Sequence, residues 1–462
     1  MTRYDAIVIG SGQAGTPLSK KLAGAGFKTA LIEKKWIGGT CINDGCTPTK
    51  TLIASARMAY TTQNSEQFGI NIPEYSIDFK RIMQRQADIV SLFRQKSARG
   101  VESTPGLDLI FGQAEFIASH SLKVTLEDGS TDEFTAEKIF IDTGSRPRIP
   151  EIKGLDSIEY LTSTSILDLH TLPQHLLIVG GGYIGLEYGQ MFRRFGSKVT
   201  IIDSSHRFLP REDEDIALEI LKILEDDGIE IYTSSEIQKL EKPGKLISLL
   251  IQKNGQEINL NGSHLLMATG RTPQTDLLKT QAAGIQVNER GFIETNDKLE
   301  TNIPGIYALG ESNGGPAFTH ISYNDFIIVS KNLLENSNLS IKGRPMPYCM
   351  FTDPPLARIG LTETEARQQG HNIKVAKLPV KNVARALQIN ETRGLIKAVV
   401  DAKSKLILGA AVLAYEGGEL MAVFQMAMKG KITYEQLQYE IFAHPTFSES
   451  LNNLFMNLDD KT

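Results

Sequence analysis

The 462-residue chain is long enough for about three domains at roughly 150 residues each. Its 41% apolar and 22% charged residues exclude wholesale disorder and a collagen-like repeat. Forty-nine Lys and Arg against 54 Asp and Glu leave a net charge of −5, which argues against a dedicated nucleic-acid binder.

The chain opens on strand-like Tyr4-Asp5-Ala6-Ile7-Val8-Ile9, with no charged n-region and cleavage site of a signal peptide. Gly10-Ser11-Gly12-Gln13-Ala14-Gly15 follows, then a helix-like stretch and a second apolar run, Thr29 to Ile32, closed by Glu33. Thr51 to Tyr60 reads as a helix, and Ile82, Ile89, Val90 and Phe93 mark another. Ser121 to Leu126 alternates as a strand, with Asp128-Gly129 as its hairpin turn. The opening pattern then returns: His175 to Val179 leads into Gly180-Gly181-Gly182-Tyr183-Ile184-Gly185, and Val199 to Ile202 is closed by Asp203. Each landmark shifts by the same 170 positions, so the two copies are one repeated device. Leu246 to Ile251 and Ile258 to Met267 read as strands about an Asn254-Gly255 hairpin. Polar Glu335 to Ser340, followed by Gly343, Pro345 and Pro347, reads as a linker into a mixed strand and helix pattern. The richest apolar stretch, Leu176 to Tyr188, is interrupted by glycines and carries Glu187, short of the ~18 apolar residues of a membrane helix.

A strand–turn–helix with three spaced glycines has a mechanical purpose. The first glycine (Gly10, Gly180) permits the tight turn and the second (Gly12, Gly182) lets the backbone approach a pyrophosphate. The third (Gly15, Gly185) lets helix and strand pack closely. The diphosphate sits on the helix N-terminus, and an acid closing the second strand, Glu33 or Asp203, accepts ribose hydroxyls. Two complete copies predict two dinucleotides in one chain, a flavin and a nicotinamide. A carboxylate at Asp203 welcomes a 2′-hydroxyl and repels a 2′-phosphate, favouring NAD(H). The nearby His206 and Arg207 work against that choice and leave NADP(H) open.

Only three cysteines occur, Cys41, Cys46 and Cys349, so a reducing, cytoplasmic setting is expected. A regular helix holds residues i and i+5 about 8.6 Å apart at Cα, beyond the roughly 4.4–6.8 Å of a disulfide. The 41/46 pair closes only if the segment is irregular there, which Gly45 and Pro48 favour. Two inert core thiols are the bland alternative; beside two nucleotide sites, a redox couple is the better reading. No second Cys/His pair completes a zinc set, and Cys349 is expected to be a buried small hydrophobe.

Along nearly its full length the chain resembles the flavin-dependent pyridine nucleotide–disulfide oxidoreductases, a class that includes dihydrolipoamide dehydrogenase, glutathione reductase and mercuric reductase. The most specific match is Gly38-Gly39-Thr40-Cys41 through Cys46-Thr47-Pro48-Thr49-Lys50. Thr143-Gly144-Ser145-Arg146-Pro147, Ala268 to Pro273 (with Gly270 and Arg271), Gly305 to Gly310 and His444 to Glu449 support it. Tyr348 to Pro355 is most similar to mercuric-reductase-like proteins. The resemblance implies an α/β fold with two Rossmann-like domains, for FAD and NAD(P), and a C-terminal α+β dimerisation domain. Its expected bounds are 1–149 and 273–344 for the two parts of the FAD-binding domain, 150–272 for the NAD(P)-binding domain and 345–462 for dimerisation.

It further implies roles. Cys46 is expected against the flavin as the charge-transfer thiol, and Cys41 as the exposed interchange thiol that meets substrate. Lys50 and Glu187 are expected to pair near the flavin, with Tyr183 screening it from the nicotinamide pocket. His444, held by Glu449, is expected as the acid/base acting on the cysteines of the partner in a homodimer; an imidazole suits proton transfer at neutral pH. The implied substrate is a small disulfide, a thiol species or a soft metal ion, with a dihydrolipoamide dehydrogenase activity as the alternative. Three departures stand out. Glu311 replaces the usual Asp at the flavin ribitol. Asp44 and Thr47 are unusual in the redox segment. The C-terminal Leu454 to Thr462 lacks the vicinal cysteines of mercuric reductase. A rival class, serine hydrolase, rests on Gly310-Glu311-Ser312-Asn313-Gly314, whose following Gly315-Pro316 is a poor helix start.

Overall fold

The computed structural model describes residues 1–458. Strand Thr2–Ile9 enters the first glycine turn and helix Gly15–Gly24, and Thr29–Glu33 returns parallel beside it. Strands Leu107–Ala118 and Thr131–Ile141 each serve two arrangements. One end of each joins a parallel sheet with Thr29–Glu33 and Thr2–Ile9. The other pairs antiparallel with Ser121–Leu126, the hairpin expected at Asp128-Gly129. Ile306–Ala308 adds to the parallel edge beside Ile139–Ile141.

The second glycine turn repeats the plan. Glu230–Tyr232, Lys198–Ile202, His175–Val179, His264–Met267 and Leu161–Thr162 form a fully parallel sheet in that order. An antiparallel meander of Ser235–Glu241, Ile247–Lys253 and Gln256–Gly262 accompanies it. Its second turn places Asn254 and Gly255 at φ 50° and 79°, the left-handed pair that a two-residue hairpin requires.

Two expectations on element bounds are corrected. Residues 258–267 are two strands: the chain breaks at Ser263, held on the His175 carbonyl at 2.9 Å, and Leu265–Met267 enters the buried parallel sheet. A short apolar run after an alternating one carries no periodicity to mark that change. The helix expected from Thr51 begins at Cys46 and runs to Gln63. Pro48 is tolerated because it lies among the first four helical residues, whose N–H groups have no intrahelical acceptor.

Two short antiparallel strands, Ser145–Pro147 and Arg271–Pro273, mark where the chain passes between the two parallel sheets. After helix Thr319–Leu334, the stretch expected as a linker holds no helix or strand until Tyr348. The C-terminal sheet is antiparallel, ordered Tyr348–Met350, Leu356–Gly360, Ile407–Leu413, Leu395–Asp401, Ile373–Pro379. The α/β architecture is therefore the one expected: two Rossmann-like units and a C-terminal α+β unit. They are not independently packed. Leu52 and Ala56 of the Cys46–Gln63 helix, Met191 and Phe192 of helix Tyr183–Phe195, and Met350 and Leu413 of the C-terminal sheet share one buried cluster. Each such large side chain contributes about 1.5–3 kcal/mol on burial, so the elements carrying the site are fixed against one another.

Candidate active site

The two glycine turns are built alike. Gly10 and Gly180 have φ 98° and 112°, and a Cβ on either would lie 2.2 or 2.4 Å from a carbonyl oxygen, of Asp142 and Ala268 respectively. A Cβ on Gly15 or Gly185 would meet the Gly10 or Gly180 carbonyl at 2.0 or 2.1 Å. No larger residue fits these four places. Both turns open on one continuous cavity of about 1720 Å³, lined by Gly10 and Gly12 at one end and Gly180 and Gly182 at the other. Glu33, Thr40, Cys41, Cys46, Lys50, Thr143, Gly144, Tyr183, Glu187, Asp203, Gly270, Arg271 and Glu311 also line it. Gly15, Gly185 and Gly310 do not line it; Gly310 donates its N–H to Asp325 at 2.8 Å.

The cavity fits two dinucleotides. Thr143 Oγ1 is buried, lines the cavity and has no protein partner, as a hydroxyl turned toward a polar ligand would be. Nothing stands within 4 Å of the Cβ position of Gly182, leaving the approach to that backbone open. Glu33 accepts from Ser11 N, Ser11 Oγ and Lys35 N at 2.7–3.0 Å, which fixes its carboxylate at the strand end. Asp203 is oriented by Ser205 N at 3.1 Å.

Between Cys41 and Cys46 the backbone leaves helix. Gly39–Asn43 is one helical turn, Gly45 takes φ −134° and ψ −114°, and Cys46 starts the long helix. The irregularity expected of the pair is present, and both thiols are free. Cys46 is exposed, opening onto the cavity, while Cys41 is half-buried. The helix start places Cys46 Sγ on the cavity wall, 3.3 Å from Thr319 Oγ1. The thiols share a hydrogen bond that splits their acidities. Cys46 is drawn down to about 6 by the Cys41 thiol, then, against partial desolvation by the cavity walls, by Thr319 and Lys50. Cys41 is pushed up by the same bond and by burial. One thiolate, at Cys46, is the resulting state.

Lys50 Nζ lies 2.6 Å from Glu187 Oε2, the pairing expected, and Glu187 Oε1 takes the Phe351 N–H at 2.8 Å. Tyr183, first residue of its helix, gives its hydroxyl to Glu212. Glu311 accepts from Ser145 Oγ and from Arg271 Nε, the latter at 3.1 Å, so its extra methylene brings it to the paired strands 145–147 and 271–273. Asp44 lines the cavity, and burial raises its carboxyl.

His444 Nδ1 lies 2.9 Å from both Glu449 oxygens, as expected, but the pair stands outside the cavity of its own chain and His444 is exposed. Cys349 is half-buried rather than buried and lines the cavity; burial pushes its thiol up to about 12, the behaviour of an inert thiol. The hydrolase elbow is contradicted. Gly310–Asn313 is a 3₁₀ turn, and Ser312 is fully buried with its hydroxyl given to the Leu309 and Ile141 carbonyls.

Several groups escaped the sequence reading. Asp142 is buried under the first glycine turn, accepts Gly15 N at 2.7 Å, and has its carboxyl raised well above the ordinary range by burial. Its only signal is adjacency to Thr143-Gly144. Thr319, Glu212 and Arg358 carry no local pattern at all, and the stretch from Tyr348 gave no sign of its bond to Glu212, since only tertiary contact makes it.

This fold and site define a class, and the chain belongs to it. The sequence profile of the pyridine nucleotide–disulphide oxidoreductase family matches residues 4–325, and that family's dimerisation domain matches residues 346–455. The chain is thus a flavoprotein of the disulfide reductase class, using FAD and NAD(P)H. Among individual relatives it is 41% identical over 459 residues to RclA of Escherichia coli, covering 98% of this chain and 99% of that one. A solved structure of the same protein, described as an HOCl-induced flavoprotein disulfide reductase, has a TM-score of 0.90 over 98% of this chain and 99% of its own. Identity is 34% to a mercuric reductase of Staphylococcus aureus (99% and 82% covered) and 32% to a dihydrolipoyl dehydrogenase of Bacillus subtilis (97% of each). Among the described residues no helix is long and apolar enough to cross a membrane.

Proposed function

We propose that the protein is an NADH-dependent reductase that delivers electrons through Cys41 and Cys46 to a small disulfide, an oxidised thiol species or a soft metal ion. The observation that carries this reading is that both glycine turns and both thiols line one cavity, with Lys50–Glu187 joining the two nucleotide-facing helices beside Cys46. NADH when bound supplies a hydride, and FAD when bound relays its electron pair to the sulfur pair. The chain's residues do the rest. Gly12 and Gly182 hold diphosphates on helix N-termini, while Glu33 and Asp203 take ribose hydroxyls. Tyr183, on the cavity wall directly after the second glycine turn, would screen the flavin from the nicotinamide pocket. In the dithiol form, Cys41 Sγ attacks the substrate disulfide as its proton leaves, forming a mixed disulfide and releasing one thiol. Cys46 Sγ⁻ then displaces the second thiol and closes the Cys41–Cys46 bond.

The proton acceptor in this reading is His444 of the partner subunit, held by the partner's Glu449. Tyr439 and Ile441, 76% and 92% exposed just before His444, give that region the apolar surface a homodimer would cover. Domain bounds of 1–149 with 273–344, 150–272 and 345–462 suit the three sheet systems. The His444–Glu449 pair suits dihydrolipoamide oxidation as the second reading.

The test pairs single thiol variants with a substrate panel followed by NADH oxidation at 340 nm. Cys41→Ser should keep a long-wavelength absorbance band and lose disulfide reductase activity. Cys46→Ser should lose both yet still accept hydride from NADH. Band lost in Cys41→Ser and kept in Cys46→Ser reverses the assignment; full activity in both rejects the redox pair.

A further inference from the structure

Glu212 lies outside every motif of the sequence, yet its carboxylate is nearly sealed from solvent, with 1% of the side chain exposed. Its Oε1 takes the Tyr183 hydroxyl at 2.7 Å and the Tyr348 hydroxyl at 2.5 Å. Its Oε2 faces Arg358 Nη1 at 3.3 Å, and Arg358 is itself held by the Arg211 carbonyl at 2.9 Å and Glu365 at 3.0 Å. A buried carboxylate is stable only with such donors, and here two come from tyrosines that line the cavity.

The two partners of the Tyr183–Glu212 bond are unequally fixed. Glu212 N donates to Leu209 O at 2.9 Å, and Arg207 donates to Glu212 O at 3.0 Å. The next residue, Asp213, is clamped by the buried Lys397 at 3.0 Å and by Glu363 N at 3.1 Å, and Asp215 also takes Lys397 at 3.0 Å. Three contacts thus tie this acidic segment to the C-terminal sheet and its neighbouring helix. Tyr183, by contrast, is half-buried at a helix start, its ring tilted 5.5 Å from that of Tyr348. Tyr348 stacks in turn on Phe318 at 5.7 Å. If Tyr183 turns away, Glu212 still keeps Tyr348 and Arg358, so the carboxylate is not left bare. The geometry makes the tyrosine the moving part and the acid the fixed one.

We infer that Glu212 is a positioning residue that tethers Tyr183 across the nicotinamide end of the cavity, with Tyr348 as the competing donor that sets how tightly the tether holds. This rests on the reading that Tyr183 screens the flavin from the nicotinamide pocket. Binding of the nicotinamide ring must then displace Tyr183 from Glu212, and part of the binding free energy is spent on that displacement.

The competition gives the test opposite signs. In flavin-loaded enzyme, Tyr183→Phe removes only the tethering hydroxyl. The dissociation constant for NAD⁺, measured by calorimetry, and the KM for NADH should each fall about tenfold, the scale of one hydrogen bond to a charged group. KM should move more than kcat. Glu212→Gln should shift both in the same direction by a smaller factor, because the amide oxygen still accepts. Tyr348→Phe leaves Tyr183 sole donor to Oε1 and should raise both constants. Flavin fluorescence should change in the first two variants, as the ring leaves its fixed place. Equal losses of melting temperature and affinity in all three variants, with no opposed signs, would make Glu212 a structural residue and overturn the inference. If Tyr183→Ala leaves NAD⁺ affinity and NADH kinetics untouched, the reading of Tyr183 itself fails. If Tyr183→Ala alters them while Glu212→Gln and Tyr348→Phe do not, only the tether fails.

Discussion

Lys50 Nζ stands 2.6 Å from Glu187 Oε2, joining the helix that starts at Cys46 to the helix that starts at Tyr183. The contact couples the thiol chemistry to the second nucleotide turn through one ion pair, because each helix carries its charged residue four positions past its first residue. Cys46 feels both charges: Lys50 draws its thiol down and Glu187 works against that.

Opposite signs should therefore appear on the two sides of this pair. In dithiol-reduced enzyme, Lys50→Met should raise the pKa of Cys46 above about 6, and Glu187→Gln should lower it further. Alkylation rate against pH reads the thiolate directly. A shift of the same sign in both variants would show that helix displacement, not charge, dominates.

Nucleotide choice should follow Asp203. Wild-type enzyme should favour NADH over NADPH in kcat/KM, and Asp203→Asn should narrow that ratio by roughly tenfold, the removal of one repulsive charge. Comparable activity with both cofactors before mutation would assign the choice to His206 and Arg207.

His444→Ala should slow thiol–disulfide exchange by about 10²–10⁴, the usual worth of a general acid/base, while hydride transfer from NADH to the flavin proceeds. Glu449→Gln should show a smaller loss of the same kind, since it removes the 2.9 Å partner of Nδ1 but keeps the imidazole. Stopped-flow separation of the two half-reactions distinguishes them, and a slowed flavin reduction in His444→Ala would contradict the assignment.

Asp353 should dominate acid stability. Burial alone would raise its carboxyl, but Arg194, Arg57 and Arg393 together hold it below the ordinary carboxylate range. A depressed folded-state value contributes stability that is present above the unfolded pKa of about 3.9 and is lost as pH falls through the folded value. Asp353→Asn should destabilise the protein by about 3–5 kcal/mol at neutral pH, the cost of breaking a buried ion pair. Its unfolding free energy, measured by denaturant titration, should also depend less on pH below about 4. An unchanged pH profile would remove Asp353 from the acid response.

The sequence by itself determined whatever depends on local chain geometry. Gly10, Gly15, Gly180 and Gly185 are demanded by carbonyl oxygens 2.0–2.4 Å from where a Cβ would stand, so the two turns were legible as a repeat. Cys41 and Cys46 were legible as a pair that closes only where the backbone leaves regular helix, which Gly45 and Pro48 favour. The Lys50–Glu187 and His444–Glu449 pairs came from resemblance, not from spacing alone. What only the tertiary structure decided is where separate segments converge. Ser312 could be discarded as a nucleophile only once its hydroxyl was buried on Leu309 and Ile141. The opening of Cys46 onto the cavity, and the half-buried Cys349, depend on how the surrounding elements pack. Asp142, Thr319 and Glu212 lie 127, 273 and 29 residues from their partners Gly15, Cys46 and Tyr183. No periodicity spans such distances: a hydrogen bond between remote segments is fixed by how whole sheets pack, and a single sequence records that packing only as burial.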